Sequence, residues 1–85
     1  MNGTIGEQQF RECMSAAEML SESASTQDEI DYLHGYRYGL RRCYLGEEFG
    51  SDAEIEEMLA RKGAMSDGCR HGLAGLPVDL SRFSD

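Results

Sequence analysis

The sequence contains no tryptophan, only one proline and no apolar run near the roughly 18 residues that a membrane-spanning helix requires. No signal-peptide pattern opens the chain, so we expect neither a membrane segment nor export. A hydrophobic content of 40% argues against a disordered chain, and helical spacing of the apolar residues argues against a β-sandwich. The 85 residues are expected to form one domain.

Cysteine is scarce as well, with three residues at positions 13, 43 and 69. An odd number at wide spacings does not make a disulfide framework, and we expect reduced, mostly buried thiols in a cytoplasmic protein. Neither a Cys-x-x-Cys nor a His-x-x-x-His pair is present. His34 and Cys43 would lie about 13 Å apart along one helix, too far to share an ion. We expect no metal and no other cofactor.

Basic residues are outnumbered: eight Lys and Arg stand against sixteen Asp and Glu, for a net charge of −8. A free-standing nucleic-acid-binding protein has the opposite balance, so direct binding of nucleic acid is not expected. The densest run of carboxylates comprises Glu47, Glu48, Asp52, Glu54, Glu56 and Glu57. Such a face either keeps a small protein soluble or meets a basic partner.

The usual catalytic patterns are missing too. Cys69 and His71 are two residues apart, and such positions point away from each other on a helix. Adjacent carboxylates such as Glu56 and Glu57 resemble a solvated face, and no glycine-rich phosphate loop is present. We therefore expect a protein that works by binding rather than as an enzyme.

What the sequence does contain is helical periodicity. It predicts helices at about residues 5–22, 27–45, 52–62 and 64–74, followed by a tail at 76–85. The tail alternates apolar and polar residues and is compatible with a strand-like segment or a final turn. The predicted fold class is all-α, a compact bundle of three or four short helices.

Local signals support these helix ends. Ser/Thr-x-x-Glu sequences beginning at Thr4, Thr26 and Ser51 fit capping boxes for the first three helices. Gly46 and Gly63 are expected to end the second and third helices.

The same periodicity predicts which side chains are buried. Tyr32 and Tyr38 are placed at the flanks of the second helix, and Leu76 is a further candidate for burial beyond the last helix. The predicted buried positions are Phe10, Cys13, Met14, Ala17, Leu20, Ile30, Leu33, Tyr36 or Arg37, Leu40, Tyr44, Ile55, Met58, Leu59, Met65, Cys69 and Leu73.

Two glycine pairs interrupt the second and fourth helices at matching places. Gly35-Tyr36-Arg-Tyr-Gly39-Leu returns as Gly68-Cys-Arg-His-Gly72-Leu. Each glycine inside a helix costs about 1 kcal/mol relative to alanine, so the recurrence requires a reason. Positions four apart share one helix face, and we predict that the two grooves let these helices approach each other closely. A duplicated partner-binding face is the alternative.

These segments also resemble a known family. Tyr32-Leu-His-Gly-Tyr-Arg-Tyr-Gly-Leu40 resembles the first helix of the ribosome modulation factor family, and Asp67-Gly-Cys-Arg-His-Gly72 is similar to its second helix. The resemblance implies a helix-loop-helix that docks on the small ribosomal subunit and silences translation. It carries over only the helix-packing positions Gly35, Tyr36, Gly39, Gly68 and Gly72. The family is strongly basic and has an aromatic residue at the position of Cys69, whereas this chain is acidic.

Short chains with this Gly-Tyr-Arg-x-Gly-Leu pattern are also similar to small phage-encoded proteins that inhibit host defence. Our first hypothesis is therefore a non-enzymatic inhibitor in the bacterial cytoplasm, such as an anti-CRISPR-type nucleic-acid mimic. Its acidic residues would block a basic nucleic-acid-binding site on a host protein. The alternative is a ribosome-associated silencing factor.

A homodimer is a third possibility, because small helical domains often complete their core across a two-fold axis. Its apolar contact would come from Phe10, Met14 and Leu20, or from Phe49.

Overall fold

The computed structural model describes residues 5–46 and 49–83. It contains four α-helices and a final 3-10 turn, and the described residues include no strand. The all-α bundle predicted from the sequence is confirmed, and the tail ends in a turn rather than a strand-like segment. The elements are α1 (Glu7–Ser23), α2 (Gln27–Leu45), α3 (Asp52–Ala60), α4 (Ala64–Leu73) and the turn Leu80–Phe83.

Two of the three capping boxes form as the sequence predicts. At the start of α2, the Glu29 amide donates to the Thr26 hydroxyl at 3.1 Å and the Glu29 carboxylate accepts from the Thr26 amide at 3.3 Å. At the start of α3, Ser51 and Glu54 exchange the same two bonds at 3.2 and 3.0 Å. Both boxes satisfy amides that a helix start leaves without partners. Gly46, with φ of 75°, ends α2 as expected.

The structure differs from the prediction at the start of α1 and at the end of α3. The N-cap of α1 is Gly6, without any side-chain cap, so the helix begins two residues after the predicted start; Thr4 lies outside the described residues. The chain enters α1 through the extended backbone of Gly6, whose carbonyl accepts from the Phe10 amide at 2.9 Å. The helix α3 ends at Ala60, and Gly63, with φ of 115°, is the N-cap of α4 instead of the end of α3.

The most extensive helix–helix contact of the described chain joins α2 and α4. A Cβ added to Gly35 would lie 2.0 Å from the Met65 carbonyl oxygen, and one added to Gly39 would lie 2.3 Å from the Cys69 carbonyl oxygen. Real Cβ atoms essentially never come within 3.0 Å of such an atom. The contact advances along both helices together, so α2 and α4 run in the same direction.

The glycines of α4 face α2 in the same way. An added Cβ would lie 2.0 Å from the Tyr32 carbonyl oxygen at Gly68 and 2.3 Å from the Tyr36 carbonyl oxygen at Gly72. Each glycine of the pair thus faces the carbonyl three residues before the equivalent glycine of the other helix. The two helices are related by an approximate local two-fold axis, and backbone meets backbone on both sides.

Parallel neighbours need a connection that returns to the starting end. Here α3 and its two loops provide that return, and α3 packs on α4. The first helix lies against α2, where Cys13 and Ala17 are buried and Phe10, Met14 and Leu20 pack against the core. These three apolar side chains, predicted as a dimer contact, are therefore engaged within the chain.

Burial on α2 differs from the sequence prediction at two positions. Tyr32, expected at the flank, is fully buried, and Ile30, expected in the core, is 48% exposed. The reason is that α4 covers the glycine side of α2, which extends the buried face towards Tyr32 and leaves Ile30 at the opposite margin. Leu76 is 50% exposed, and Val78 is the buried side chain of the tail instead.

Candidate functional site

The carboxylates of α3 form an exposed acidic face. We use this name for Asp52, Glu54, Glu56 and Glu57, all of which are exposed, while Ile55 is the buried side chain of this helix. Glu47 and Glu48, predicted to belong to the same surface, lie outside the described residues.

Contacts at both ends fix α3 on the helix pair. Arg42 of α2 has a side chain only 13% exposed, donates to the Gly50 carbonyl at 2.7 Å and forms an ion pair with Asp52. At the other end, the buried Ser66 hydroxyl of α4 donates to the Leu59 carbonyl at 3.1 Å. The acidic face is therefore held in a defined orientation.

The four carboxylates differ in what they do within the fold. Asp52 pairs with Arg42, Glu54 completes the capping box, and Glu57 lies 4.0 Å from Arg61. Glu56 forms no ion pair within 5–46 and 49–83. Even so, the side chains of Asp52 and Glu57 remain 74% and 73% exposed, so their pairing leaves the charges open to a partner.

A cleft of about 250 Å³ lies beside the acidic face, between α2, α3 and α4. Tyr38 stands at its α2 wall, where Phe49 packs edge-on against the ring with centroids 5.0 Å apart. Burial and, to a smaller extent, the nearby Glu54 carboxylate raise the pKa of Tyr38. We call this site the α3 cleft; it is lined by His34, Tyr38, Glu54, Glu57, Met58, Arg61 and Met65.

The sequence analysis identified only Glu54 and Glu57 of these lining residues as site residues. Spacing carries part of the missing signal, because His34 and Tyr38 are four apart on α2, and Glu54, Glu57 and Met58 share one face of α3, with Arg61 just after its end. Spacing does not predict that α3 lies beside α2, because that arrangement depends on the parallel pairing of α2 and α4.

A second polar cluster joins the tail to the helix pair. The Asp79 amide donates to the Tyr32 hydroxyl at 3.0 Å, and the same hydroxyl lies 2.6 Å from Nδ1 of His71. The Tyr32 hydroxyl therefore accepts from the Asp79 amide, and the direction of its hydrogen bond with His71 is set by the imidazole tautomer. Burial raises the pKa of Tyr32.

Arg82 closes this second cluster. It lies 2.6 Å from Asp67 and 3.5 Å from Asp28, and its guanidinium carbon is 4.7 Å from the centre of the Tyr32 ring. Phe83 packs edge-on against the same ring. These contacts join the tail to α2 and α4, so we assign the cluster a structural role.

A larger groove of about 680 Å³ runs between α1 and the tail. Its walls include Gln8, Gln9, Glu12, Cys13 and Val78, and no histidine lines it. The Gln9 amide donates to the Gly75 carbonyl at 3.4 Å. The groove therefore lacks the pairing of charged and aromatic groups found in the α3 cleft.

The three cysteines are buried in the described chain. Burial raises the pKa of Cys69, which keeps that thiol protonated. The parts of the chain that the structure describes contain no group of three His, Cys, Asp or Glu side chains placed to hold a metal ion. None of the described helices has the length and apolar content to cross a bilayer.

Comparison of the chain with protein-family models, with curated proteins and with solved structures found no match.

Proposed function

We propose that this protein is a non-enzymatic inhibitor that docks its acidic face on a basic nucleic-acid-binding surface of a host protein. The observation that carries the proposal is the exposure of the α3 carboxylates. The side chains of Asp52 and Glu57 are about three-quarters exposed although each has a cationic neighbour. A short helix that presents several open carboxylates offers a negative surface to a basic partner.

Electrostatic complementarity explains how such a surface would compete. Lys and Arg clusters that bind nucleic acid are arranged to neutralise phosphates, and a rigid acidic helix can satisfy them instead. Opposite net charge also accelerates the encounter of the two proteins. The net charge of −8 on 85 residues supports this mode of binding. A phage-encoded anti-defence protein of the anti-CRISPR type, acting in the bacterial cytoplasm, is the class that we propose.

The test compares two charge reversals of equal size. Glu56→Lys with Glu57→Lys alters the acidic face without touching the cap residue Glu54. Glu18→Lys with Glu22→Lys makes the same change on the exposed side of α1. Exposed charges change stability by about 0.5 kcal/mol or less, so both variants are expected to melt like the parent protein.

The parent protein is expected to capture a nucleic-acid-binding protein from bacterial lysate, and added DNA or RNA oligonucleotides are expected to block that capture. The α3 reversal should abolish capture and the α1 reversal should retain it. Equal effects of the two reversals, or capture that oligonucleotides do not affect, would contradict the proposal.

A ribosome-associated role is the second candidate. It is favoured by Arg37 and Arg41, which lie four apart on α2 and form no ion pair with any described residue. Co-sedimentation with small ribosomal subunits, lost on changing Arg37 and Arg41 to Gln but not on reversing the α3 charges, would replace the first proposal with this one.

A further inference from the structure

We propose that the α3 cleft receives one arginine side chain of the protein partner, and that this arginine is the anchor of the interface. The inference rests on the proposed function and specifies the chemistry of its binding site. The α3 cleft combines two carboxylates, an aromatic ring and two thioethers at one place, which the rest of the acidic face does not.

Each wall of the α3 cleft matches one part of an arginine side chain. The guanidinium forms charge-assisted, two-pronged hydrogen bonds with carboxylates, which Glu54 and Glu57 present three residues apart on one helix face. The same planar group stacks on aromatic rings, here Tyr38. The methylene stem packs on flexible apolar groups, here Met58 and Met65.

The size of the α3 cleft agrees with a single side chain. Small-molecule sites usually measure about 300–1,000 Å³, and a cleft of about 250 Å³ lies below that range. The occupant is also organic rather than metallic, because the described residues hold no group of three His, Cys, Asp or Glu placed for a metal ion.

In the free protein a cation already stands at the rim of the α3 cleft. The Arg61 guanidinium lies 4.0 Å from the Glu57 carboxylate, with its side chain 64% exposed. An ion pair with such exposed side chains and such a long distance between its charged groups is weak, and its cation is readily exchanged. The incoming arginine would take its place, so Arg61 acts as an internal competitor.

The first test uses the capped amino acid Nα-acetylarginine amide, titrated into isotope-labelled protein and followed by amide NMR shifts. Capped citrulline, which has the same shape without the charge, is the control ligand. Shifts confined to the residues around His34, Tyr38, Glu57 and Met58, with none caused by citrulline, support the proposal. Equal shifts with citrulline, or equal shifts along the carboxylates of α1, overturn it.

The second test uses two neighbouring carboxylates as a matched pair. Glu57→Gln removes a lining carboxylate and is expected to weaken binding of capped arginine and of the partner about tenfold. Glu56→Gln makes the same charge change one residue away, outside the lining, and is expected to weaken binding about twofold. Equal losses with intact partner capture overturn the arginine anchor but leave the acidic-face proposal standing.

The third test uses a variant that is expected to strengthen the binding of capped arginine instead of weakening it. Removing the competitor with Arg61→Gln is expected to strengthen binding of capped arginine about two- to fivefold. Arg11→Gln on α1 is the matched control. It changes the net charge by the same amount, and Arg11 is likewise paired with a glutamate four residues away. An equal gain from both variants would show a general charge effect and would overturn the anchor. Shifts from capped arginine without any captured partner support the α3 cleft and contradict the proposed function.

Discussion

At the residue scale, the four glycines of α2 and α4 face carbonyl oxygens of the partner helix rather than side chains. A side chain in the way can rotate, whereas a carbonyl of a helix moves only with its helix. Alanine is the smallest side chain that can replace Gly35, but at 2.0 Å from the Met65 oxygen even its single methyl group has no space. The helices must separate to accept it.

We therefore predict that Gly35→Ala destabilises the protein by about 2 kcal/mol or more, although alanine is the better helix former by about 1 kcal/mol. Urea denaturation measures the change. Gly6→Ala is the control, because nothing lies within 4 Å of a Cβ added there, and its cost should stay below about 1 kcal/mol.

The double variant Gly35→Ala with Gly68→Ala provides a further check. Its cost should be less than the sum of the single costs, because the first methyl group has already opened the contact. A rise in stability with alanine at either site would show that the helices do not approach each other this closely.

Two buried tyrosines make a second residue-scale prediction, concerning alkaline pH. Burial raises the pKa of Tyr32 and, more strongly, that of Tyr36, whose hydroxyl donates to the Leu76 carbonyl at 2.7 Å. A folded-state pKa above the ordinary value near 10 means that the unfolded chain loses its protons first as the pH rises. The stabilising contribution is complete below pH ~10 and is lost above it.

The free energy of unfolding should accordingly fall with rising pH above about 10. Tyr36→Phe should reduce the slope of that fall while costing about 1 kcal/mol at neutral pH through the lost hydrogen bond. Tyr44→Phe serves as the control, since Tyr44 is only partly buried. An unchanged alkaline slope in Tyr36→Phe would contradict the assignment.

At the scale of the elements, the stability of α3 comes from the contacts that Arg42 makes with it rather than from the helix alone. Nine residues make a helix that is marginal in water, so its stability comes from its contacts. Arg42 provides one contact to backbone and one to a carboxylate. The backbone contact involves a nearly buried guanidinium and the Gly50 carbonyl, whereas the Asp52 carboxylate is largely exposed.

This difference predicts unequal costs for the two partners. Arg42→Met should destabilise the protein by about 1.5–3 kcal/mol, because it leaves the Gly50 carbonyl without its charged donor. Asp52→Asn should cost about 1 kcal/mol or less, because it removes an exposed ion pair and keeps that donor. Thermal melts give the totals, and hydrogen exchange should locate the loosening in α3 for the Arg42 variant. Equal costs would mean that the ion pair is the main contact.

Sequence patterns predict the bounds of those helices whose ends are marked by a capping side chain or a terminal glycine. The boundaries of α2 follow from the Thr26 capping box and Gly46, and both lie where predicted. The start of α1 does not follow, because Gly6 takes the N-cap position without any side-chain bond. Gly63 was predicted at the wrong boundary, since a positive φ serves equally well after one helix and before the next.

At the scale of the whole molecule, only part of the candidate site can be predicted from the sequence. The acidic residues of α3 could be identified because a high density of charged residues is apparent from the sequence alone. The α2 wall of the α3 cleft could not, because His34 and Tyr38 meet Glu54 and Glu57 only after the chain crosses over. That crossing depends on the direction of α4 relative to α2, which no periodicity specifies.

The parallel pairing of α2 and α4 also has a consequence for synthesis of the chain. The two glycine motifs lie about 33 residues apart, and closing such a loop costs about 3 kcal/mol of chain entropy. Translation completes α2 before α3 and α4 exist, at about 5–20 residues per second. The hydroxyls of Tyr32 and Tyr36 therefore gain their hydrogen-bond partners, which lie at positions 71, 76 and 79, only after most of the chain has been synthesised.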